Sequence, residues 1–203
     1  MSDVKRTLID EYSRFHDSGE YGRSGDGALA TLLPHVLALK PASLVDYGCG
    51  RSNLAHLVAE KAKIGTVATF DPAVPERGPK PDRISDLLIN VDVLEHVPDE
   101  EIDAVVAEMA SLGREALIIV DTRPAKAILS DGRNSHVSMH DEAWWLARLR
   151  RSFPTLRPIR VHRRGRVGFK TFDAELPAFE AWVITQREIF ARRFHRWFGA
   201  KQG

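Results

Sequence analysis

The residues of this 203-residue chain best suited to chemistry sit in short polar clusters, each following an apolar run. Asp46-Tyr-Gly48-Cys-Gly50-Arg-Ser52 comes directly after the first run and spaces two glycines one residue apart. That spacing suits a sharp turn where a Cβ is penalised and a ligand approaches the backbone closely. The helix that follows would turn free N–H groups toward a carboxylate or phosphate. Asp71 closes a second run, and one carboxylate has the two oxygens needed to accept from both hydroxyls of a ribose. The plainer reading makes Asp71 a turn acid before Pro72. Glu95 and His96, in Asp92-Val-Leu-Glu-His96, read equally as an acid–base pair and as a helix cap. The richest loop runs from Thr122-Arg-Pro-Ala-Lys126 to Asp131-Gly-Arg-Asn-Ser-His136. There His136 is the candidate general base, since a neutral imidazole accepts a proton near pH 7. Arg123, Lys126, Arg133 and Asn134 offer donors for an acceptor's carboxylate, phosphate or sugar hydroxyls. Against this, Asp131-Gly132 is a natural turn whose neighbours would only brace the loop.

The elements that must position these clusters are legible from patterning. Helical spacing covers 3–16 and 26–39, with Asp26 as the N-cap of the second helix, separated by a turn carrying glycines 19, 22, 25 and 27. Runs 43–48, 66–71, 87–92 and 116–121 are rich in aliphatic and β-branched residues and predict strands, with helices over 53–63 and 100–112 between them. A loop with four prolines spans 72–82. This alternation predicts an α/β fold, doubly wound, with a mostly parallel sheet and helices on both faces. Beyond a helix over 141–153, the runs 156–162 and 179–185 predict an antiparallel hairpin at the C-terminal edge of the sheet, joined by a basic loop. The final helix, 188–198, gathers Phe190, Phe194, Trp197 and Phe198 on one face, which reads as a face buried in the core.

Composition narrows the function classes. The chain is 43% hydrophobic and 28% charged, with no apolar run long enough to span a membrane, so a soluble single domain in the cytoplasm is expected, without stable membrane insertion. A lone Cys49 excludes an internal disulfide and a cysteine zinc framework, and no metal-ligating set is read from the sequence. Charge is uneven: residues 1–147 hold 15 basic and 24 acidic side chains, whereas 148–203 hold 14 and 4. The basic segment 148–170 is therefore either balanced by acids of its own domain or a contact for a polyanion such as nucleic acid, through Arg150, Arg151, Arg157, Arg160, Arg163, Arg164, Arg166 and Lys170.

A dinucleotide fold would call for a third glycine at position 53, which is Asn53. The D-x-G-x-G of Asp46–Gly50 instead resembles motif I of class I S-adenosylmethionine-dependent methyltransferases, and Asp92-Val-Leu-Glu-His-Val97 resembles the segment that in this class lines the cofactor pocket beside the methionine moiety. With Tyr21-Gly-Arg-Ser-Gly25, Phe70-Asp-Pro-Ala-Val-Pro75, Arg123-Pro-Ala-Lys126, Asp131-Gly-Arg-Asn134 and His136, the chain is similar over almost its whole length to a group of small bacterial and phage-encoded methyltransferase-like proteins. The resemblance implies a Rossmann-like fold binding S-adenosyl-L-methionine through Asp46, Gly48, Cys49, Gly50, Asp71, Pro72, Asp92 and Leu94. It implies three parts of one domain over 1–203: a helical lid at 1–40 that brings Tyr21 to the substrate, a cofactor half at 43–122, and a substrate half at 123–203. The expected activity is methyl transfer to an oxygen or nitrogen of a small-molecule or glycan-linked acceptor. A nucleic-acid methyltransferase and a non-catalytic cofactor-binding partner subunit are the alternatives. The strand that usually carries an adenine-binding acid is missing between 72 and 86, leaving Asp82 for that role.

Overall fold

The structure, a computed structural model, describes residues 3–17 and 24–199. A six-stranded sheet runs in the order β2-β1-β3-β4-β6-β5, built from β1 (Ser43–Tyr47), β2 (Thr66–Phe70), β3 (Ser85–Val91), β4 (Gly113–Asp121), β5 (Arg157–Ile159) and β6 (Arg166–Lys170). The first four are parallel, with Leu44 beside Val67 and Leu87, and Ile89 beside Leu117. Their near-continuous apolar runs follow from burial on both faces. Alternate side chains feed two cores. Val45, Leu88 and Ile118 meet α4 (Asp99–Ala110) and α5 (Glu142–Leu149) on one face. Leu44, Leu87 and Leu117 meet α2 (Leu29–Leu39) and α3 (Leu54–Ala62) on the other. The chain leaves β1 outward to β2, then returns to β3 on the far side of β1, so a crevice opens between the carboxyl ends of β1 and β3.

Local chemistry explains the helix starts. Asp99, Glu100 and Glu101 crowd the first turn of α4 behind Pro98, where they face the positive end of the helix dipole. Asp141 caps α5 by accepting the Trp144 N–H at 2.8 Å. The adjacent tryptophans divide: Trp145 is fully buried, and Trp144 stacks on His140 with ring centroids 3.6 Å apart. Asp26 is not the cap of α2; a 3-10 turn over Ser24–Ala28 comes first, and the N-cap position is Ala28.

The antiparallel edge exists, but with different residues from those the patterning predicts. β6 is Arg166–Lys170, inside the supposed basic loop, and pairs antiparallel with β4 and β5. Phe179–Thr185 belongs instead to one long helix, α6 (Ala178–Gly199), which lies along α2. Its Val-Ile-Thr run has strand-forming residues, but Pro177 at the start and α2 as a packing partner favour a helix. The helix does not bury the aromatics described: Phe190 and Phe194 are exposed, as are Phe179 and Trp182. Trp197 and Phe198 have side chains outside the described set. Among the described residues, no helix is long and apolar enough to cross a membrane.

Candidate functional site

A cavity of about 620 Å³ occupies the crevice between β1 and β3. Its first wall is the glycine turn. The N–H groups of Gly48 and Cys49 both donate to the Phe70 carbonyl, at 2.7 and 3.2 Å, extending the β1–β2 pairing past the strand end. Gly48 has φ +78°, and a Cβ there would lie 2.5 Å from Val93 Cγ2, so both backbone conformation and close approach require glycine. Asp71 is buried and holds the turn from β2: Oδ2 accepts the Gly50 N–H at 2.7 Å and Oδ1 the Ala73 N–H at 2.8 Å. Arg77 clamps the other side, donating to the carbonyls of Gly50 and Ser52 at 2.8 Å each. Asp46, Cys49 and Pro72 also line this wall. Burial, then the carboxylates of Asp46 and Asp71, push the Cys49 thiol up to about 12, so it stays protonated and inert at neutral pH.

The second wall is ionic. Asp92, in the left-handed region at φ +57°, accepts two hydrogen bonds from Arg166, both at 2.7 Å. Arg166 also reaches Asp121 at 3.1 Å, and Arg123 closes on Asp121 from outside with two further bonds. All three buried partners, Asp92, Asp121 and Arg166, expose less than a tenth of their side chains. Burial pushes the Asp121 carboxyl up, but the Arg123 hydrogen bond and the Arg166 charge outweigh it and hold the group below the usual carboxylate range. His136 stands beside this pair, buried, its Nδ1 2.5 Å from the Arg123 carbonyl. Its ring lies edge-on to that of His96, with centroids 4.8 Å apart. His96 Nδ1 is 2.8 Å from the Ser135 carbonyl. Burial, then the neighbouring His136, lower His96 to about 4, so it is neutral at physiological pH.

Helix α1 (Asp3–Asp17) forms the roof. Leu8, Tyr12 and His16 face the cavity, the Tyr12 hydroxyl donates to the Ser135 carbonyl at 2.9 Å, and Arg51 ties the glycine turn to the His16 carbonyl at 2.8 Å. Helix α1 thus sits over the crevice, with Tyr12 buried and Phe15 half-buried.

The structure brings Asp46, Gly48, Cys49, Gly50, Asp71, Pro72, Asp92, Arg123, Lys126 and His136 to one cavity. Other residues read from sequence fall elsewhere. Leu94 is buried in the core beneath the cavity. Arg133 points outward onto Asp131 at 2.7 Å. Asn134 braces the loop, its Oδ1 accepting the N–H groups of Ala125 and His136, each at 2.9 Å. Asp82 is exposed and off the cavity lining, and Tyr21 lies outside the described residues. The polyanion face loses members to the domain's own acids: Arg166 and Lys170 are buried, Arg151 pairs with Asp103, and Arg157 with Asp173. Sequence reasoning missed Arg166 as part of the site, because only the antiparallel register of β6 carries it to Asp92.

No family model matches the chain, and no curated protein matches it by sequence. Solved structures do match in fold. The 1,6-didemethyltoxoflavin-N1-methyltransferase of Burkholderia thailandensis, solved with 1,6-didemethyltoxoflavin and S-adenosylhomocysteine bound, aligns over 84% of this chain and 90% of its own, with 16% identity and a TM-score of 0.60. The mitomycin 7-O-methyltransferase MmcR aligns over 72% of this chain at 14% identity and a TM-score of 0.54, and this chain spans about half of its length, 52%. The methyltransferase domain of bacterial CtHen1 aligns over 74% of this chain and 98% of its own, at 12% identity and a TM-score of 0.54. The chain therefore has the class I S-adenosylmethionine-dependent methyltransferase fold.

Proposed function

We propose that the chain is an S-adenosylmethionine-dependent methyltransferase acting on an oxygen or nitrogen of a small-molecule or glycan-linked acceptor. One observation carries this reading: the glycine turn, backed by Asp71, and the His136 wall face each other across one cavity at the switch point of the sheet. The residues present fit the cofactor. Gly48, where a Cβ would strike Val93, lets the turn bring its backbone onto the cavity wall. Asp71 uses one lone pair of each oxygen on backbone, keeping others for ribose hydroxyls. Asp46, Cys49 and Gly50 complete that wall, and Asp92 lines the same cavity. The cavity volume falls within the range of small-molecule and cofactor sites, roughly 300–1,000 Å³. When bound, the cofactor supplies an activated methyl group on a sulfonium.

The protein's own task is then to bring an acceptor atom into line and keep water out. The roof of α1 serves exclusion. Lys126 offers positive charge on the His136 side of the cavity, where Arg123 is held by Asp121. If Nδ1 of His136 donates to the Arg123 carbonyl, Nε2 carries the lone pair that takes the acceptor's proton. Thermal unfolding with S-adenosylhomocysteine tests the reading, since a ligand bound only to the folded state raises stability by RT ln(1 + [L]/Kd). The expected result is a rise in the parent that Asp71→Ala abolishes, and methyl transfer from labelled cofactor to an acceptor panel led by nucleotide sugars. No rise at millimolar ligand sinks the proposal.

A further inference from the structure

The charges on the His136 wall do not balance. Asp92 and Asp121 are matched by Arg166 and Arg123. Glu95, from the turn after β3, is fully buried beside them and has only a share of the Arg166 charge, which Asp92 and Asp121 already engage at hydrogen-bond distance. Its Oε1 accepts the Asp121 N–H at 3.1 Å, while its Oε2 is buried and makes no hydrogen bond. A desolvated carboxylate oxygen without a partner costs several kcal/mol unless a proton or a cation meets it. Two imidazoles also stand close by. Donor atoms of Glu95, His96 and His136 all lie within 4.8 Å of one another.

The orientation of both rings matters more than their proximity. Each Nδ1 is within hydrogen-bond distance of a backbone carbonyl, Ser135 for His96 and Arg123 for His136. A ring that donates from Nδ1 to a carbonyl holds its lone pair on Nε2, which is how histidines are fixed for metal ligation. Asn134 and Tyr12 stiffen the same loop, the first through His136 N–H and the second through the Ser135 carbonyl. Two imidazoles and one carboxylate make a donor set suited to first-row divalent ions.

We propose that Glu95, His96 and His136 form a site for one first-row divalent metal ion of the Mn2+, Fe2+, Co2+ or Zn2+ kind, facing the cavity. Three donors sharing an ion through bonds of roughly 2.1 Å sit about 3–3.5 Å apart, so side-chain adjustment by an ångström or so closes the cluster. Three protein ligands leave positions for oxygen ligands, and the acceptor class this favours has a hydroxyl beside a second oxygen that can chelate. Coordination lowers the pKa of that hydroxyl, and its proton passes to solvent. The lone pair that His136 would use as a base is then engaged by the ion. This role toward an acceptor rests on the methyltransferase reading; the binding of the ion does not.

The test uses the full chain stripped with a chelator and titrated with Co2+ and Mn2+. One equivalent of Co2+ per chain is expected, with visible d–d absorption showing nitrogen ligation, and a rise in melting temperature. Glu95→Gln and His136→Ala are each expected to weaken binding at least ~10-fold, since even groups that merely orient a ligand are worth about 10–100-fold. Far-UV circular dichroism identifies a variant that fails to fold, and the other then decides. Absence of saturable binding at millimolar Co2+ and Mn2+ overturns the site and leaves Glu95 protonated; binding that survives in both folded variants also overturns it. Stabilisation by S-adenosylhomocysteine is measured on the same samples. Its absence with metal binding intact removes the methyltransferase reading and spares the metal site.

Discussion

On the glycine side of the cavity, charged side chains grip the backbone; on the Arg166 side, they grip one another. Asp71 and Arg77 hold N–H and C=O groups of one turn, and their partners lie within 27 residues along the chain. Arg166 reaches back 74 residues to Asp92 and meets Asp121 from the other end of the β4–β6 register. A backbone clamp fixes a shape, whereas a buried ion network fixes a charge pattern whose members depend on each other. The first wall can therefore tolerate loss of one clamp better than the second can tolerate loss of its central cation.

Replacing Arg166 breaks that contrast most severely. Arg166→Met leaves Asp92 buried without counter-charge and Asp121 with Arg123 alone, so a loss of ~3–5 kcal/mol is expected in denaturant unfolding. Gly48→Ala strikes the other wall. Its positive φ and the clash with Val93 should cost about 1–3 kcal/mol and abolish stabilisation by S-adenosylhomocysteine, read by the same melts. Asn134→Ala tests whether the second wall acts on chemistry rather than on cofactor. Freeing the Ala125 and His136 N–H groups should cost about 1–2 kcal/mol and lower turnover while S-adenosylhomocysteine affinity stays near that of the parent.

A pH profile adds a contribution from the body of the fold to that of the second wall, where His96 is lowered likewise. His35 on α2 is lowered to about 4, first by burial and then by Lys170, with His162 and Arg157 adding in the same sense and Glu175 opposing. The folded state thus holds fewer protons than the unfolded one between pH 4 and the ordinary histidine value near 6.5. Its contribution is full above that upper value and is lost as pH falls toward 4. His35→Leu should reduce the slope of stability across that window in thermal melts and leave the part that His96 contributes. The smallest effect belongs to Arg133→Ala, whose exposed pair with Asp131 predicts a change within about 0.5 kcal/mol and unaltered turnover.

The first wall was legible because its signals are local. Asp46, Gly48, Gly50 and Asp71 each stand at the end of an apolar run whose period and turn residues announce them, and the parallel α/β sheet followed from the same runs. The second wall was legible only in its parts. Arg123 and His136 stood out by type, but their neighbour Arg166 was one basic residue among many until a register placed it. Leu94 and Asn134 were misplaced for the same reason, since sequence does not say which way a turn residue points. The hairpin erred where a short apolar run fits strand and helix alike, and tertiary packing against α2 decided for the helix.

Arg166 also sets the order in which the site can come into being. During synthesis the residues of the glycine wall, up to Arg77, are all present long before β6 emerges, so that wall can close early. Asp92 then waits without a cation, beside an Asp121 that has only its near neighbour Arg123. Only when β6 folds back antiparallel onto β4 does the shared cation Arg166 arrive. The crevice is thus finished by a late, long-range step.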